Sequence, residues 1–336
     1  MSTSAALPLT VDMDGTLIAT DVLAEGIVAG VFAKPFSTLL ALFALRGGRA
    51  PFKRRIAEID AADLDAVPMR EEVLNWLRAE KARGREIHLV SAADEAMVRR
   101  VAQRTGLFDS AQGSRDGINL RSRRKAAALK ARFPGGFVYA GDSRADLAVW
   151  EAAQGIVLVG VSAGLARAAR CLPVPIERAF TVPKAGLSAW IAALAPQRWI
   201  LNLLVFLPFL LWREGQDWQG FLRAGLAVLL MCAMASGTYL LRDLAHLGAD
   251  RRLALLRTRP IAAGQIALPT GANMALALIL GSLGLASLIL PGLIMPLMIY
   301  LAIAACRFWP IRRGAMLDAM LLGVLLALRL IIGWLS

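Results

Sequence analysis

Histidine, cysteine and tyrosine are scarce: the 336-residue chain holds two, three and three of them. So little imidazole argues against a zinc enzyme. Cys171, Cys232 and Cys306 lie far apart, form no metal-ligand spacing and suggest no disulfide framework. The opening Met1-Ser2-Thr3-Ser4 has no basic patch ahead of an apolar run, so no signal peptide is expected. Acids are also in deficit. Asp and Glu number 25 against 38 Lys and Arg, a net charge of +13. Such a surplus suggests nucleic acid, or basic loops at a membrane face. Apolar residues are plentiful, at 57% of the chain with mean hydropathy +0.57. That excludes a disordered chain and is too apolar for an ordinary soluble protein. Charged residues still make up 19%, too many for a bare bundle of membrane helices.

Composition shifts near residue 190. Before it, short apolar runs alternate with charged, helix-like stretches; after it, long uncharged runs dominate. Ala224 to Leu241 and Gln265 to Cys306 carry no charge, and Pro291-Gly292 interrupts the second run. Trp199 to Trp212 is uncharged, and Ala319 to Leu335 contains only Arg329. A helix needs roughly 20 apolar residues to cross a bilayer core. These runs predict five spans, near 197–213, 222–241, 268–289, 292–307 and 317–335. The alternative, a buried core of soluble helices, would show a polar face on each helix.

The loops predict an orientation. Arg242, Arg251, Arg252, Arg257 and Arg259 follow the second span, and Arg307, Arg312 and Arg313 follow the fourth. The turn at Pro291 has no charge, and Arg213, Glu214 and Asp217 nearly cancel. By the positive-inside rule the arginine-rich side is cytoplasmic. It is also the side of the N-terminal half, so the C-terminus is expected to be periplasmic. Topology then accounts for most of the positive charge, and no nucleic-acid partner is expected.

In the first half, Ala6 to Val11 reads as a short buried strand leading into Asp12-Met13-Asp14-Gly15-Thr16. Two carboxylates at i and i+2 beyond a strand can serve one phosphoryl group, one attacking and the other handling the proton. Glu86 to Val90 is a second strand running into Ser91, and Lys125 opens the helical Lys-Ala-Ala-Ala-Leu. Phe137 to Ala140 is a third strand, ending in Gly141-Asp142-Ser143-Arg144-Ala145-Asp146, and Ile156 to Val161 is a fourth. Strands alternating with helices predict an α/β parallel sheet with its ligand at the carboxyl ends of the strands.

This ordered set resembles the haloacid dehalogenase (HAD) superfamily of phosphatases, over about residues 5–165. The resemblance implies a Rossmann-like parallel sheet with a helical cap. It makes Asp12 the nucleophile and Asp14 the general acid, then base. Ser91 would bind phosphoryl oxygens, and Lys125 would neutralise their charge; Arg121 competes with Lys125 for that role. Asp142, with Asp12 and the backbone carbonyl of Asp14, would bind Mg²⁺, and Asp146 would be a further ligand or orient metal waters. Hard oxygen ligands suit Mg²⁺. The cap would occupy about residues 20–81. Its first part, Val22 to Ala44, is unusually apolar, and Lys53, Arg54 and Arg55 follow. Two readings stand: a cap with its own small core, or a cap resting on a membrane and admitting a lipid-linked phosphate.

In the second half, Asn202 lies in the first span, and Tyr239-Leu240-Leu241-Arg242-Asp243 leads to Asp250-Arg251-Arg252 and Arg257-Thr258-Arg259-Pro260. Asp243, His246 and Asp250 recur at i, i+3 and i+7, so they can share a helix face. Arg329, a charge within the last span, is expected to face the bundle interior. These segments look like the UbiA superfamily of intramembrane prenyltransferases, in the branch that includes polyprenyl-phosphate phosphoribosyltransferases. The resemblance implies an all-α membrane domain and substrate contacts from Asn202, Arg242, Asp243, Asp250, Arg257, Arg259 and Arg329. Departures are plain. The family's Asn-Asp-x-x-Asp-x-x-x-Asp motif becomes Arg242-Asp243-Leu244-Ala245-His246-Leu247-Gly248-Ala249-Asp250, and two lysine positions are Leu201 and Leu256. The family has nine spans, and five are counted here.

The expected organisation is therefore a HAD-like domain at 1–185 and an incomplete UbiA-like domain at 186–336, in a bacterial inner membrane. Besides a non-catalytic truncation product, unless the missing UbiA-like half is encoded separately in a neighbouring reading frame, two functions remain open. One is a transferase of prenyl or phosphopentose groups with an attached Mg²⁺-dependent phosphatase acting on a phosphomonoester. The other is a membrane-anchored phosphatase whose helical half binds polyprenyl phosphate or membrane lipid without transfer.

Overall fold

The computed structural model describes residues 6–115, 117–183, 185–212, 218–308 and 315–336. Arg213, Glu214, Asp217, Arg312 and Arg313, which entered the loop-charge reading, lie outside the described residues. The chain forms two compact units, residues 1–184 with 263–265, and residues 185–262 with 266–336.

The first unit is built on six parallel strands in the order β3-β2-β1-β4-β5-β6. They are β1 Leu9–Val11, β2 Ile87–Asp94, β3 Ser110–Ser114, β4 Val138–Gly141, β5 Gly155–Val159 and β6 Ile176–Phe180. β1 is central, with Leu9 opposite both Ile87 and Val138. Strand alternation sorts the core into two faces. Leu9, Val11, Val138, Ala140, Val157 and Val159 pack on one side. Phe137, Tyr139, Ile156 and Leu158 pack on the other, with Trp150 and Leu129. Trp150 is fully buried, so replacing it by Ala should cost about 3–5 kcal/mol. β3 and β6 have no counterpart among the strands read from sequence. Both are edge strands with one paired neighbour, and Ser-Ala-Gln-Gly-Ser and Ile-Glu-Arg-Ala-Phe are not apolar runs.

Between β1 and β2 the chain forms helices at Val22–Ala33, Pro35–Ala41, Arg49–Ile59 and Glu71–Ala82, with 3₁₀ turns at Leu42–Gly47 and Leu64–Ala66. The cap has a small core of its own: Ala41, Phe52, Ile56 and Ile59, packed against Leu23, Ile27, Ala44 and Ala61.

The second unit is a membrane-spanning helical bundle. Among the described residues, four helices are long and apolar enough to cross a bilayer: Trp218–Ala245, Leu268–Ile289, Pro291–Phe308 and Met316–Leu335. Trp218–Ala245 is the central one, 67% buried along its apolar window against 22–28% for the others. Gly237 allows the close approach, because a Cβ there would sit 2.7 Å from Ile279 and 3.0 Å from the Ala275 carbonyl. The span expected at 197–213 is not one straight helix. Leu187–Leu194 and Pro196–Leu211 meet at a 46° bend, and together they would make a fifth span. Ala195 has φ +51° and precedes Pro196, which breaks the helix; residues Pro196–Val205 then wind as 3₁₀.

Candidate active site

β1 ends at Val11, so Asp12 emerges where the carboxyl ends of β1, β2 and β4 converge. Asp12 is buried, and its Oδ1 accepts from the Met13 backbone N–H at 2.9 Å and from Lys125 Nζ at 2.9 Å. Lys125 reaches it from the first turn of helix Arg123–Arg132, whereas Arg121 is exposed. Lys125 Nζ also donates to the Tyr139 hydroxyl at 2.7 Å, and that hydroxyl donates to Asp146 Oδ1 at 3.0 Å. Asp146 is further held through Oδ2, which accepts from Asp142 N at 3.2 Å, Ser143 N at 3.0 Å and Ser143 Oγ at 2.9 Å. The Ser143 N–H contact is one half of a capping box over the short turn Arg144–Asp146, the Ser143 side chain accepting from the Asp146 backbone N–H in return. Ser91, on β2, is buried, and its Oγ accepts from the Ala93 N–H at 3.1 Å.

Gly15 is required where it stands. Its φ is +75°, and a Cβ would collide with the Asp142 carboxylate. Thr16 Oγ1 donates to Asp142 Oδ1 at 3.4 Å, and Arg70 Nε donates to the Gly15 carbonyl at 2.8 Å.

Asp12, Asp142 and Asp146 offer carboxylate oxygens that all lie within 4.8 Å of one another. Burial raises Asp12 to about 6, with Lys125 pulling down and Asp146 pushing up. Burial, then the charges of Asp12 and Asp146, raises Asp142 to about 7. Three crowded carboxylates with the Lys125 ammonium, and Arg70 acting on Asp142, still make a set short of positive charge. A hard divalent cation of the Mg²⁺ kind fits such oxygen donors. The Asp14 carboxylate stands outside this cluster. It accepts from the Val22 N–H at 3.0 Å, and burial, then the nearby Asp21, pushes it well above the usual carboxylate range.

The membrane unit brings four sequence candidates together. Arg259 Nη1 donates to Asp243 Oδ1 at 2.8 Å and to Asp250 Oδ2 at 2.9 Å. Arg242 Nη1 donates to Asp243 Oδ1 at 2.7 Å and lies 3.5 Å from Asp250. The helix breaks at His246, and Asp250 rides on the short helix Leu247–Arg252. Asn202 and Arg329 form another pair. The buried Asn202 accepts from Arg329 Nε at 3.0 Å, and Arg329 also donates to the Leu325 carbonyl at 2.5 Å. The Arg329 guanidinium lies 5.5 Å from the centre of the Tyr300 ring. Arg257 is exposed.

The parallel order, the Asp12 position and the acid cluster agree with one family. Residues 9–151 match the model of the haloacid dehalogenase-like hydrolases. This part of the chain is a haloacid dehalogenase-like hydrolase domain. An uncharacterized protein of Sinorhizobium fredii is 36% identical over 327 residues, which are 97% of this chain and 63% of that protein. The decaprenyl-phosphate phosphoribosyltransferase of Corynebacterium glutamicum is 34% identical over 126 residues, which are 36% of this chain and 37% of that enzyme. The latter similarity falls in the C-terminal part. A solved phosphoserine phosphatase, carrying a phospho-aspartyl intermediate analogue, overlays with TM-score 0.37 at 16% identity, over 53% of this chain and 95% of that one. The chain thus spans 63% of the first relative's length and 37% of the second's.

Sequence reasoning missed three residues of the hydrolase domain's site. Tyr139 looks like one more apolar residue of a buried strand, yet its hydroxyl bridges Lys125 and Asp146. Its signal was its place two residues before Gly141-Asp142. Arg70 holds the Gly15 carbonyl from just before a helix, where nothing in the local pattern marks it. Lys53 read as part of a basic run. It donates to the Ala92 carbonyl at 2.6 Å and, with Asp14 and Asp21, lines a small pocket of about 30 Å³.

Proposed function

We propose that the hydrolase domain is a metal-dependent phosphomonoesterase acting on a lipid-linked phosphate at the cytoplasmic face of a bacterial inner membrane. Asp12 attacks phosphorus, so a carboxylate O–P bond forms as the bond to the leaving oxygen breaks. Asp14, favoured in its protonated form by burial, gives its proton to that leaving oxygen. The resulting Asp14 carboxylate then takes a proton from water, which attacks the aspartyl-phosphate and frees inorganic phosphate. Lys125 and Ser91 bind the phosphoryl oxygens. Mg²⁺ bound by Asp12, Asp142, Asp146 and the Asp14 backbone carbonyl would supply charge neutralisation. The observation that carries the reading is Lys125 held 2.9 Å from Asp12 beside the three-acid cluster.

The test uses the full chain in detergent with a soluble phosphomonoester and Mg²⁺. Asp12→Asn should lower kcat by at least about 10³-fold, since nucleophile and metal ligand go together. Wild-type turnover in that variant would sink the assignment.

The helical unit is proposed to bind lipid phosphate without efficient group transfer. Asp243 and Asp250 already have guanidinium partners, which supports an internally neutralised cluster over a diphosphate–Mg²⁺ site. The arginine bias of the connecting segments supports the orientation. A reporter fused after Ser336 should therefore read as periplasmic and one within 253–262 as cytoplasmic. The same reading from both would overturn the five-span reading.

A further inference from the structure

The cap leaves an apolar face that its own core does not use. Phe36, Leu39, Leu40 and Phe43 recur at i, i+3, i+4 and i+7, and they are 82%, 61%, 62% and 58% exposed. Leu42 and Leu45 extend the patch. The same segment turns Thr38 and Ala41 inward, where both are buried. Two phenylalanines and four leucines within ten residues are thus presented outward by design of the helix period, not left over from a failed core.

The charge around this face is mostly of one sign, with Glu58 beyond it pairing Arg54 and Arg55 and leaving Arg46 and Arg49 as the nearer cations. From Gly26 to Ala57 the chain contains Lys34, Arg46, Arg49, Lys53, Arg54 and Arg55 and not one carboxylate. Arg46, Arg49, Arg54 and Arg55 are exposed, and the Arg46 guanidinium lies 5.3 Å from the centre of the Phe43 ring. An apolar helix face rimmed by arginines complements an anionic bilayer surface. A second copy of the same face would set arginine against arginine. The chain also carries membrane-crossing helices, so a bilayer is always within tether range and the cost of encounter is small.

We propose that the cap segment Pro35–Gly47 docks onto an anionic bilayer surface, inserting Phe36, Leu39, Leu40 and Phe43 among the acyl chains while Arg46 and Arg49 contact lipid phosphates. This surface is independent of the phosphatase reading. It has a consequence for it, because helix Arg49–Ile59 carries both the rim residues Arg54 and Arg55 and Lys53, whose Nζ bonds the Ala92 carbonyl beside Ser91. A docked cap would present the site to phosphates that lie at the membrane surface.

The experiment measures depth in the full chain reconstituted into vesicles. The exposed Cys171 and Cys306 are replaced by serine, and the buried Cys232 is kept. Spin labels are placed by Leu40→Cys, by Phe43→Cys and, as an exposed control, by Glu151→Cys. In vesicles of phosphatidylcholine with phosphatidylglycerol, labels at 40 and 43 should relax with oxygen several-fold more than with a water-soluble nickel chelate, and the label at 151 should do the reverse. Adding Arg46→Glu and Arg49→Glu should return positions 40 and 43 toward the control. Hydrogen exchange across 35–47 in the unsubstituted protein gives a second reading, with protection in anionic vesicles at least about 10-fold above that in pure phosphatidylcholine. Nickel access at 40 and 43 equal to that at 151 overturns the proposal. So does shielding from both reagents, which marks a protein contact; dipolar broadening lost on dilution with unlabelled protein would identify that contact as a second copy. Equal exchange in the two vesicle types overturns it as well.

Discussion

Asp12, Asp142 and Asp146 are three acids beside two cations, Lys125 bonded to Asp12 and Arg70 acting on Asp142, whereas Asp243 and Asp250 are two acids sharing two, Arg242 and Arg259. Both groups contain buried acids, so burial does not distinguish them. The balance of charge does. When ionised, the first set keeps one more negative charge than Lys125 and Arg70 balance, in a confined space. The second set is neutral as it stands, Arg259 Nη1 reaching both carboxylates and Arg242 Nη1 donating to Asp243. A divalent cation entering the first relieves repulsion. Entering the second, it would have to displace arginines first. The lesson is that a motif of acids predicts a metal only after its counter-charges are counted.

The sharpest way to break this contrast is to remove one cation from each set. Lys125→Met should lower phosphatase kcat by about 10²–10³-fold, the loss typical of one preorganised charge donor at a reacting oxygen. Arg259→Met should leave phosphatase kcat within about two-fold but lower thermal stability, because a buried acid, Asp250, loses a partner at 2.9 Å. Steady-state kinetics and a melting curve on both variants suffice. Equal phosphatase losses from the two would mean that the clusters are not independent.

A second contrast uses Mg²⁺ and pH. The folded pKa values of Asp12 and Asp142 are raised above the ordinary value of 3.8. The metal-free native state therefore binds protons more tightly than the unfolded chain. The stability these groups contribute is fully present below about pH 4 and is lost as pH rises through about 6 and about 7. Metal needs the deprotonated acids, so it should restore stability only where they are ionised. Saturating Mg²⁺ should raise the melting temperature by about 5–10 °C at pH 8 and by almost nothing at pH 5.5. Asp142→Asn should abolish the pH 8 shift, and Asp243→Asn should leave it intact. An Asp243-dependent shift, or Asp243-dependent transfer of labelled phosphopentose to polyprenyl phosphate, would restore a metal-using transferase site.

The two units also differ in how much of them the sequence discloses. Asp12-Met13-Asp14-Gly15-Thr16 is legible because chemistry and backbone coincide there: the acids sit beyond a buried strand, and Gly15 supplies the positive φ that lets Asp142 approach. Lys125 against Arg121 was open, since both precede the helix core; only packing buries Lys125 on the Tyr139 face of the sheet. Edge strands β3 and β6 were hidden because one-sided pairing does not demand an apolar run. In the membrane unit the spans were legible by length, but the 3₁₀ winding of Pro196–Val205 was not, because lipid tolerates the same apolar residues in either helix. The partners of Asp243 and Asp250 were hidden for another reason. Arg259 lies 16 and 9 residues away, across a break at His246 that helix periodicity cannot foresee.

The smallest predicted effect separates positioning from structure within the hydrolase site. Burial pushes the Tyr139 hydroxyl well above the usual phenol range, so it keeps its proton at any working pH. It must therefore donate to Asp146 at 3.0 Å while accepting from Lys125 at 2.7 Å. That fixes the direction of the chain: ammonium to phenol to carboxylate, with Asp12 taking another ammonium proton. Tyr139→Phe keeps the ring packed in the core and deletes only the bridge. Lys125 retains Asp12, and Asp146 retains its three contacts from Asp142 and Ser143. The lost hydrogen bonds are worth about 1 kcal/mol net, or about 5–10-fold in rate. If the bridge aims Lys125 at the phosphoryl group, the loss should appear in kcat, with KM within about two-fold and the melting temperature within about 3 °C. A fall in melting temperature with kcat unchanged would show that Tyr139 serves the core alone and that Lys125 needs no second partner to hold its place.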